Sequence, residues 1–484
     1  MSQAFRNYTA IHMRVFRSSL GFNKPSIYRK LVTMATAHTI RITPENTGLW
    51  NIKQDQSSAQ KASELLQQDL EKHHVYFNDN GFHNHLTHQL LSLYGTGARP
   101  EHLKKAYDVN KTYQRPTMKF HENVVEELKD WETAKKRVGK GEYYPDFLAF
   151  FQREIDERGW EKVLGEYMFG GDAKSEDMLI RMLAGFLHPI IQLMYGVEWK
   201  QPAIVAMGLS QAAVHHDDLR KFLLTAEEAA KSKLDPMPTI ASLLEEAKAN
   251  KKLATAAKFE DNRKLHDGVF ARAWDEIIEI TSRVRVKPEE LEERTAEMYH
   301  TTIYEGASAA FYPGKEPKFD FFLMHHINIC PIFIEINSQD WIPMESKVRL
   351  LEWKIRMDIV QYAARGCPPL SLDNIASYAP KRNEPGSTDE LLSRMHNLEE
   401  DGHAIKLFRA VGLGQTVVEK YDDKDWVVIK GGLWTKIKHL VVDSVEAAGP
   451  HWVRSAGFGD AWGVIPDRSD IVKGVSQKLE QIRL

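Results

Sequence analysis

Histidines recur inside the apolar stretches of this sequence, and the first group is His83, His85 and His88. On a helix, His85 and His88 would share one face because they are three residues apart, while His83 would point elsewhere. Two imidazoles on one face can bind a metal ion or a substrate. The alternative is a helix N-terminus that Asn84 caps and where the histidines only pack. The spacing alone leaves both interpretations open.

A further histidine lies in residues 178–194, a stretch that is apolar on nearly every side and is therefore typical of a buried central helix. His188 should then lie inside the core. Pro189 lacks a backbone donor and its ring clashes with the carbonyl of Gly185, so we expect a kink that opens space beside the imidazole. The alternative is a core histidine that is bonded to a backbone carbonyl.

Two histidine pairs follow. The pair His215 and His216 ends the small, apolar stretch 203–214, and the pair His325 and His326 lies inside another apolar stretch. Neighbouring residues on a helix differ by about 100° around its axis, so one member of each pair should face inward. We take His215 and His325 as the inward members. The alternatives are an exposed helix end for the first pair and plain packing for the second.

Lys354 lies in the helical stretch 341–366. At about 100° per residue, it points away from Glu345 and from the charged outer stripe of that helix. The predicted outer stripe consists of Glu345, Arg349, Glu352 and Arg356. A buried lysine requires an explanation, because desolvation favours its neutral amine. The alternative to a chemical role is a structural ion pair with Asp358.

Helical periodicity dominates the chain and is clearest over residues 59–73, 85–93, 123–135, 144–158, 174–195, 203–215 and 347–365. Strand-like alternation is scarce, which disfavours a parallel-sheet α/β fold. We predict an all-α fold, a large single-domain helical array with a buried metal site between helices. The predicted boundaries are a basic N-terminal extension over residues 1–35 and a helical catalytic domain over residues 36–484.

The composition excludes several classes of partner. A net charge of -3 without a basic stripe argues against nucleic acid. The two cysteines, Cys330 and Cys367, can form neither a disulfide framework nor a four-cysteine zinc site. No apolar run approaches the roughly 20 residues that a membrane span needs, so no membrane association is expected. The glycine clusters lack the GxGxxG spacing of a Rossmann cofactor site.

The first 44 residues contain no Asp or Glu but seven Lys or Arg residues. This composition is typical of an organelle transit peptide, although Met34 could instead be the true start. We expect a cytoplasmic protein, with mitochondrial import as the alternative. The sequence leaves the oligomeric state open.

Four apolar helices thus each carry an inward histidine candidate, and a fifth carries an inward lysine. One shared metal site explains this joint occurrence more economically than independent packing. Imidazole-rich ligation without thiolates suits iron, zinc, copper or nickel. Two other interpretations stay open. His188 with His216 and Asp217 resembles the H…HD…D pattern of helical metal phosphohydrolases, and the chain could also be a non-catalytic helical scaffold.

The sequence resembles the questin oxidase-like family of fungal polyketide pathways, which includes an aflatoxin-pathway oxygenase of Baeyer–Villiger type. The resemblance spans residues 40–468 and rests on Thr43-Pro-Glu-Asn-Thr-Gly-Leu-Trp50, His83-Asn-His85, Leu93-Tyr-Gly-Thr-Gly97, Tyr113-Gln-Arg-Pro116, Gly185-Phe-Leu-His188-Pro189, Gln211-Ala-Ala-Val-His215, Phe321-Phe-Leu-Met-His325, Trp353-Lys354 and Trp452-Val-Arg-Ser-Ala-Gly-Phe458.

The resemblance implies a non-haem, Fe2+-dependent monooxygenase or dioxygenase. Such an enzyme would use dioxygen to cleave the central quinone ring of a questin- or emodin-type anthraquinone to a benzophenone-type product. The resemblance also implies an iron site of several histidines and a lysine that carries a carboxyl group on its amine. The matching positions are His85, His188, His215, His325 and Lys354. Family members are also described as NADPH-dependent, which keeps NADPH as electron donor and a Baeyer–Villiger-type oxidation as alternatives.

Chemical roles follow for the remaining residues of such a site. We expect His88 or His216 to deprotonate a phenol of the substrate. A neutral, buried Lys354 could add carbon dioxide and present an anionic oxygen to the metal, so we count it as catalytic as well as ligating. The candidates for the aromatic walls of the substrate pocket are Tyr195, Trp199, Phe311 and Tyr312.

Overall fold

The computed structural model describes residues 34–381 and 387–468. The basic extension predicted over residues 1–35 lies, up to residue 33, outside the described residues, and its role stays a prediction. The all-α prediction is confirmed, because the described residues contain 22 α-helices and, beyond isolated bridges, no β-strand.

The α-helices are α1 (Gln56–Lys72), α2 (Leu86–Gly95), α3 (Pro100–Asn110), α4 (Glu122–Glu127), α5 (Trp131–Ala134), α6 (Tyr144–Arg158), α7 (Trp160–Phe169), α8 (Ala173–Met182), α9 (Ala184–Glu198), α10 (Pro202–Val214), α11 (Arg220–Ala230), α12 (Ile240–Ala249), α13 (Lys251–Ala254), α14 (Trp274–Thr281), α15 (Leu291–Ser308), α16 (Phe321–Asn328), α17 (Pro331–Ser338), α18 (Met344–Ala364), α19 (Leu372–Ala376), α20 (Thr388–Asn397), α21 (His403–Val418) and α22 (Gly432–Glu446).

Helices α9 and α10 form the most closely packed pair of the array. A Cβ atom at Gly208 of α10 would lie 2.9 Å from the backbone nitrogen and Cα of Leu193. A Cβ atom at Gly196 of α9 would lie 2.6 Å from the backbone nitrogen of Val205. The two backbones therefore touch where both helices carry glycine.

Helix α9 also belongs to a ring of four helices that come from distant parts of the chain. Helix α2 contacts α9 and α21, and α16 contacts the same two helices. Each of the four is largely apolar where it faces the others, because their buried residues cover most of the helix surface. The space between these four helices is where side chains from all of them can meet.

The junction between α8 and α9 turns the chain by 99°. We predicted one helix over residues 174–195 with a kink at Pro189, and this is corrected. The break lies at Gly185, Phe186 and Leu187, which have φ angles of 54°, 54° and 68°. Pro189 cannot donate to the Gly185 carbonyl, and that carbonyl instead accepts from Nδ1 of His188 at 2.7 Å. Where the backbone hydrogen bond is missing, the chain forms a left-handed turn rather than a bend in a continuous helix.

Helix α18 buries Lys354 completely, as its position on the helix predicts. The predicted outer stripe is wrong at Arg356, which is also fully buried. Its guanidinium donates to the carbonyl of Val284 at 2.8 Å and pairs with Glu352 at 3.3 Å. Helices α11, α12, α14, α15 and α16 all pack on α18, so little of its surface is left for solvent.

No single helix among the described residues is long and apolar enough to cross a membrane. The pair α8 and α9 reaches the required length and composition only when taken together, and it is sharply bent.

The contact between α9 and α10 predicts whether a Gly→Ala substitution raises or lowers the melting temperature at two positions. Gly208→Ala should lower the melting temperature, because overpacking against backbone atoms costs about 1–3 kcal/mol or more and outweighs the roughly 1 kcal/mol gain in helix propensity. Gly165→Ala in α7 is the matched control. Its Cβ would make an ordinary contact with Trp341 at 3.8 Å, so helix propensity should raise the melting temperature. A stabilised Gly208→Ala protein would contradict the close packing of the two helices.

Candidate metal centre

Seven buried histidines meet inside the ring formed by α2, α9, α16 and α21. They are His83, His85, His88, His188, His215, His325 and His403. One histidine comes from, or directly precedes, each helix of the ring: His85 caps α2, His188 lies in α9, His325 in α16, and His403 begins α21. The predicted metal site between helices is therefore a place where histidines of four separate helices converge.

His83 was predicted to point away from His85, and this is corrected. The prediction assumed a helix through residue 83, but α2 begins at Leu86 and His83 forms an isolated bridge with Tyr76. In extended chain, residues two apart point the same way. The His83 ring therefore stacks on His188, with ring centroids 4.0 Å apart.

The Nδ1 atoms of the cluster are fixed by groups that can only accept a hydrogen bond. Nδ1 of His188 faces the carbonyl of Gly185 at 2.7 Å, and Nδ1 of His325 faces the carbonyl of Phe321 at 2.6 Å. Nδ1 of His403 faces the Asp401 carboxylate at 2.5 Å, and Nδ1 of His85 lies 3.5 Å from the other oxygen of that carboxylate. In the neutral rings of His188, His325 and His403, Nδ1 therefore carries the proton and Nε2 is an unprotonated lone pair. For His85, the attraction of the nearby carboxylate favours the same tautomer.

These unprotonated nitrogens face one another. Nε2 of His85 and Nε2 of His188 are 2.9 Å apart, and Nε2 of His403 and Nε2 of His325 are 3.2 Å apart. The ligand nitrogens of His85, His188 and His403 all lie within 4.8 Å of one another. Lone pairs at these distances repel each other unless a cation lies between them. This histidine cluster could bind a metal ion, with the outer hydrogen bonds of the rings already made.

His215 has a different environment. Its Nδ1 faces the carbonyl of Gln211 at 2.6 Å, and its Nε2 lies 2.8 Å from Nε2 of His83. No partner fixes Nδ1 of His83 among the described residues, so Nε2–H of His83 can donate to His215 in an ordinary hydrogen bond. The hydroxyl of Tyr76 lies 3.2 Å from Nδ1 of His215. His215 is thus joined to the cluster through His83, while its neighbour His216 is exposed.

Lys406 of α21 is a buried lysine of the cluster. Its ammonium has no hydrogen-bond partner among the described residues. After burial, it is a cause of the lowered pKa of six cluster histidines: His83, His85, His88, His188, His325 and His403. Burial lowers the pKa of Lys406 itself to about 8, and Asp401 and Glu400 oppose this shift.

Lys354 lies elsewhere. Its Nζ pairs with the carboxylate of Asp358 at 2.5 Å, and the same oxygen is 2.6 Å from Nδ1 of His326. We expected only one histidine of this pair to face inward, but His326 is buried as well as His325. The two rings point about 100° apart on α16, so this network lies on another side of that helix. The structure does not bring Lys354 to the histidines that hold one another, and its contacts are those of the structural pair with Asp358.

Of the other predicted site residues, His88 and Tyr195 lie at the cluster. Both ring nitrogens of His88 lack a hydrogen-bond partner among the described residues, and its ring stacks on Tyr195 with centroids 5.6 Å apart. Trp199 is a core residue that packs edge-on against Tyr94. Phe311 and Tyr312 line a separate cavity of about 510 Å³, whose lining contains none of the cluster histidines.

The sequence reasoning missed His403, Lys406 and Asp401. Two signals were available in the segment that opens α21. Lys406 lies on an apolar helix just as Lys354 does, and His403 precedes it by three residues, hence on the same face. The carboxylate of Asp401, two residues before His403, could have been taken for a histidine-orienting group.

Comparisons with known proteins show the family of the chain. The family model described as "Questin oxidase-like" matches residues 82–411. The chain belongs to the questin oxidase-like family. Its matched region includes His83 to His403 and Lys406, and so the whole cluster.

Curated relatives of this questin oxidase-like protein cover most of its length. A questin oxidase of Aspergillus fumigatus is 33% identical over 448 residues, which are 90% of this chain and 100% of the relative. A Baeyer-Villiger oxidase of Pestalotiopsis fici is 33% identical over 440 residues, 89% of this chain and 99% of the relative. An oxidoreductase of Aspergillus parasiticus is 35% identical over 418 residues, 85% of this chain and 84% of the relative. The chain is an oxidoreductase, and the scaffold and phosphohydrolase interpretations fall away.

The buried histidines predict an acid-sensitive metal-free protein. Burial lowers the pKa of His215 to about 4 and that of His403 to about 3, whereas an unfolded histidine titrates near 6.5. The unfolded chain therefore binds more protons below about pH 6.5, and stability falls as the pH drops from there toward 4. The melting temperature should be level above about pH 7 and fall below it, with a shallower fall in His403→Ala. A level melting temperature between pH 7 and 5 would contradict neutral, buried rings.

Proposed function

We propose that this protein is a non-haem iron oxygenase that cleaves the central quinone ring of a questin- or emodin-type anthraquinone in fungal polyketide metabolism, giving a benzophenone-type product. The observation that carries the proposal is the pairing of unprotonated Nε2 atoms at 2.9 and 3.2 Å inside the helical ring. The relatives named questin oxidase support the substrate class.

The ligand set that we propose is His85, His188, His325 and His403, one from each helix of the ring. These residues fit a metal because each has its Nδ1 anchored and its Nε2 free. The donors are nitrogens without thiolates, which suits iron, copper, zinc or nickel. Since the relatives are named oxidases, a redox-active metal is favoured over zinc, and we propose Fe2+. When bound, iron supplies the one-electron chemistry that dioxygen needs to react with an aromatic ring.

Lys406 is the residue that we propose for the carboxylated lysine, in place of Lys354. A lysine whose pKa is about 8 exists partly as the neutral amine at physiological pH, and that amine can add carbon dioxide to form a carbamate. A carbamate would turn the one buried cation that repels a metal into an anionic oxygen donor. Lys354 is engaged by Asp358 and lacks this freedom.

The remaining polar residues would orient rings and hold protons. Asp401 fixes His85 and His403 together through its two oxygens. His88 is the proposed base for a substrate phenol, because it is the cluster histidine with both nitrogens unengaged. The chain from His83 through His215 to Tyr76 offers a second path for a proton. His216 is exposed, so the geometry favours it less as the base.

An oxidation of the Baeyer–Villiger type is the second candidate, because several relatives are named Baeyer-Villiger oxidase. The use of NADPH in it stays a prediction. The described residues contain no parallel sheet on which a Rossmann site could be built, so direct binding of NADPH is not favoured. NADPH could still reduce the metal through a separate protein. The cytoplasmic location, with mitochondrial import as the alternative, stays a prediction.

Replacement of a proposed ligand should remove iron and activity together. His403→Ala and His188→Ala should each lower iron occupancy at least 10-fold and abolish oxygen consumption with a trihydroxyanthraquinone. His439→Ala is the matched control, since His439 is buried like the proposed ligands but lies outside the cluster. Metal analysis and an oxygen electrode measure the two effects. Full iron occupancy in His403→Ala would remove that residue from the ligand set.

The two buried lysines predict opposite results for the same substitution. Lys406→Arg cannot form a carbamate, so iron and activity should both fall, whereas Lys354→Arg keeps the charge beside Asp358 and should retain iron. In Lys406→Ala, added formate or acetate should restore part of the turnover by filling the space with a carboxylate. An iron-loaded, active Lys406→Arg protein together with an iron-free Lys354→Arg protein would reverse the assignment.

A further inference from the structure

The left-handed turn that begins α9 exposes an aromatic ring. Phe186 has a φ angle of 54° and is 51% exposed, although it lies two residues before His188. For a residue other than glycine, this backbone conformation costs about 1–3 kcal/mol, and such strain is concentrated at functional sites. Its ring contacts Phe322 of α16 with centroids 5.1 Å apart. The two rings form an apolar surface that the fold itself leaves uncovered.

Arg365, at the end of α18, lies over this surface. Its guanidinium carbon is 4.1 Å from the ring centroid of Phe322, and only 4% of the residue is exposed. Nη1 donates to the hydroxyl of Ser455 at 3.2 Å, while Nε has no hydrogen-bond partner within the described part of the chain. Burial lowers the pKa of Arg365 to about 10, and the fully buried carboxylate of Asp320 opposes this shift by electrostatic attraction. That carboxylate makes no direct ion pair with the guanidinium, and its oxygens already accept from backbone N–H groups. A buried, planar cation with unused donors is suited to binding an anion.

A second cation lies close to Arg365. Lys264 belongs to the π-helical turn Lys264–Phe270, a kind of turn that is frequent at functional sites. Its ammonium is 5.7 Å from the ring centroid of Phe458, and the Phe458 ring would contact a Cβ at Gly366, next to Arg365. Burial lowers the pKa of Lys264 and the nearby Arg365 lowers it further, while Asp261 and Glu260 oppose the shift. The Lys264 ammonium already donates to the carbonyls of Phe259 and Asp261, which leaves one of its three donors for a ligand. Two neighbouring cations favour a shared anionic ligand.

This patch adjoins the proposed metal centre. Phe322 contacts Phe321 at 5.5 Å between ring centroids, and Phe321 contacts His325 at 4.8 Å. Phe186 reaches the centre through its own chain, because His188 follows it by two residues. A planar molecule on the patch would therefore lie one aromatic side chain away from the histidines.

We propose that Phe186, Phe322, Arg365 and Lys264, here called the Arg365 patch, bind a planar polycyclic aromatic that carries an oxyanion on its ring. The phenylalanines would contact the rings, and the guanidinium and ammonium would bind the oxyanion. Two sources supply that chemistry: the phenolate of an acidic hydroxyl conjugated to a quinone carbonyl, and a ring carboxylate. The inference deepens the proposed function by locating its substrate, but binding to the patch requires no metal.

The test measures dissociation constants for three probes with the full chain as purified. The probes are anthraquinone-2-carboxylate, 2-hydroxyanthraquinone above the pKa of its phenol, and the neutral 2-(hydroxymethyl)anthraquinone. The wild type should bind at least one anion about 10-fold more tightly than the neutral probe. Preference for the hydroxy or for the carboxylate probe identifies the source of the oxyanion. Equal affinity for all three probes would overturn the proposal.

Variants distinguish the contribution of the two cations to probe binding from that of the aromatic rings. Arg365→Gln and Lys264→Gln should each weaken anion binding about 10-fold and leave the neutral probe unchanged. Phe186→Gly should weaken all three probes several-fold without lowering the melting temperature, because glycine adopts a φ of 54° without strain. Arg153→Gln is the matched control, since Arg153 lies 5.6 Å over Phe120 in a similar stack elsewhere. If Arg365→Gln fails to fold, Lys264→Gln and Phe186→Gly decide alone.

The outcome also distinguishes this inference from the proposed function. Anion-selective binding that depends on the patch, in a protein that consumes no oxygen when loaded with iron, would support the patch and contradict the oxygenase. Oxygen consumption with unchanged anion affinity in Arg365→Gln and Lys264→Gln would contradict the patch and leave the oxygenase standing.

Discussion

Unprotonated imidazole nitrogens lie within 3.2 Å of one another at the centre of this protein, and the rest of the structure depends on holding them there. Four helices bring the Nε2 atoms of His85, His188, His325 and His403 within hydrogen-bond distance in pairs, although none of them has a proton to share. This arrangement is unfavourable in an empty protein. Two interactions offset this repulsion: hydrogen bonds at Nδ1 fix the rings on the opposite side, and the large apolar core stabilises the helices that carry them.

The hold on the rings is local and follows from helix geometry. Nδ1 of His325 donates to the carbonyl of Phe321, four residues earlier, and Nδ1 of His188 donates to the carbonyl of Gly185, three residues earlier. Asp320 fixes the start of α16 by accepting from the backbone of Phe322 and Leu323. On the next position of the same helix, His326 is bound by Asp358. Adjacent histidines thus belong to two networks: His325 faces the other buried histidines, and His326 pairs with Asp358.

Much of the fold could be predicted from the sequence, because helical periodicity is a local property. The long helices α10 and α18 match their predicted ranges closely, and the burial of Lys354 follows from its angle on α18. The same reasoning was wrong for Arg356, because α14 packs on α18, and carbonyls at the end of α14 and just after it accept from the guanidinium. The left-handed turn at Phe186 also escaped prediction, because a proline four residues after Gly185 specifies a lost hydrogen bond but not the conformation that replaces it.

The sequence predicted that buried histidines of several helices converge, but it did not predict all the residues that meet there. Apolar context identified His85, His188 and His325, since each lies in a helix that must be buried. His403 and Lys406 escaped because their importance comes from contact between α21 and α2, which are more than 300 residues apart in the chain. Lys354 shows the converse: its burial was predicted correctly, yet its pairing with Asp358 accounts for it without a metal.

Anomalous X-ray scattering at the iron edge, from crystals of the protein reconstituted with Fe2+, tests the central claim most directly. The account predicts one strong peak per chain among the Nε2 atoms of His85, His188, His325 and His403, with additional density on Nζ of Lys406. No peak inside the ring of α2, α9, α16 and α21, or a peak beside Lys354 and Asp358, would contradict it.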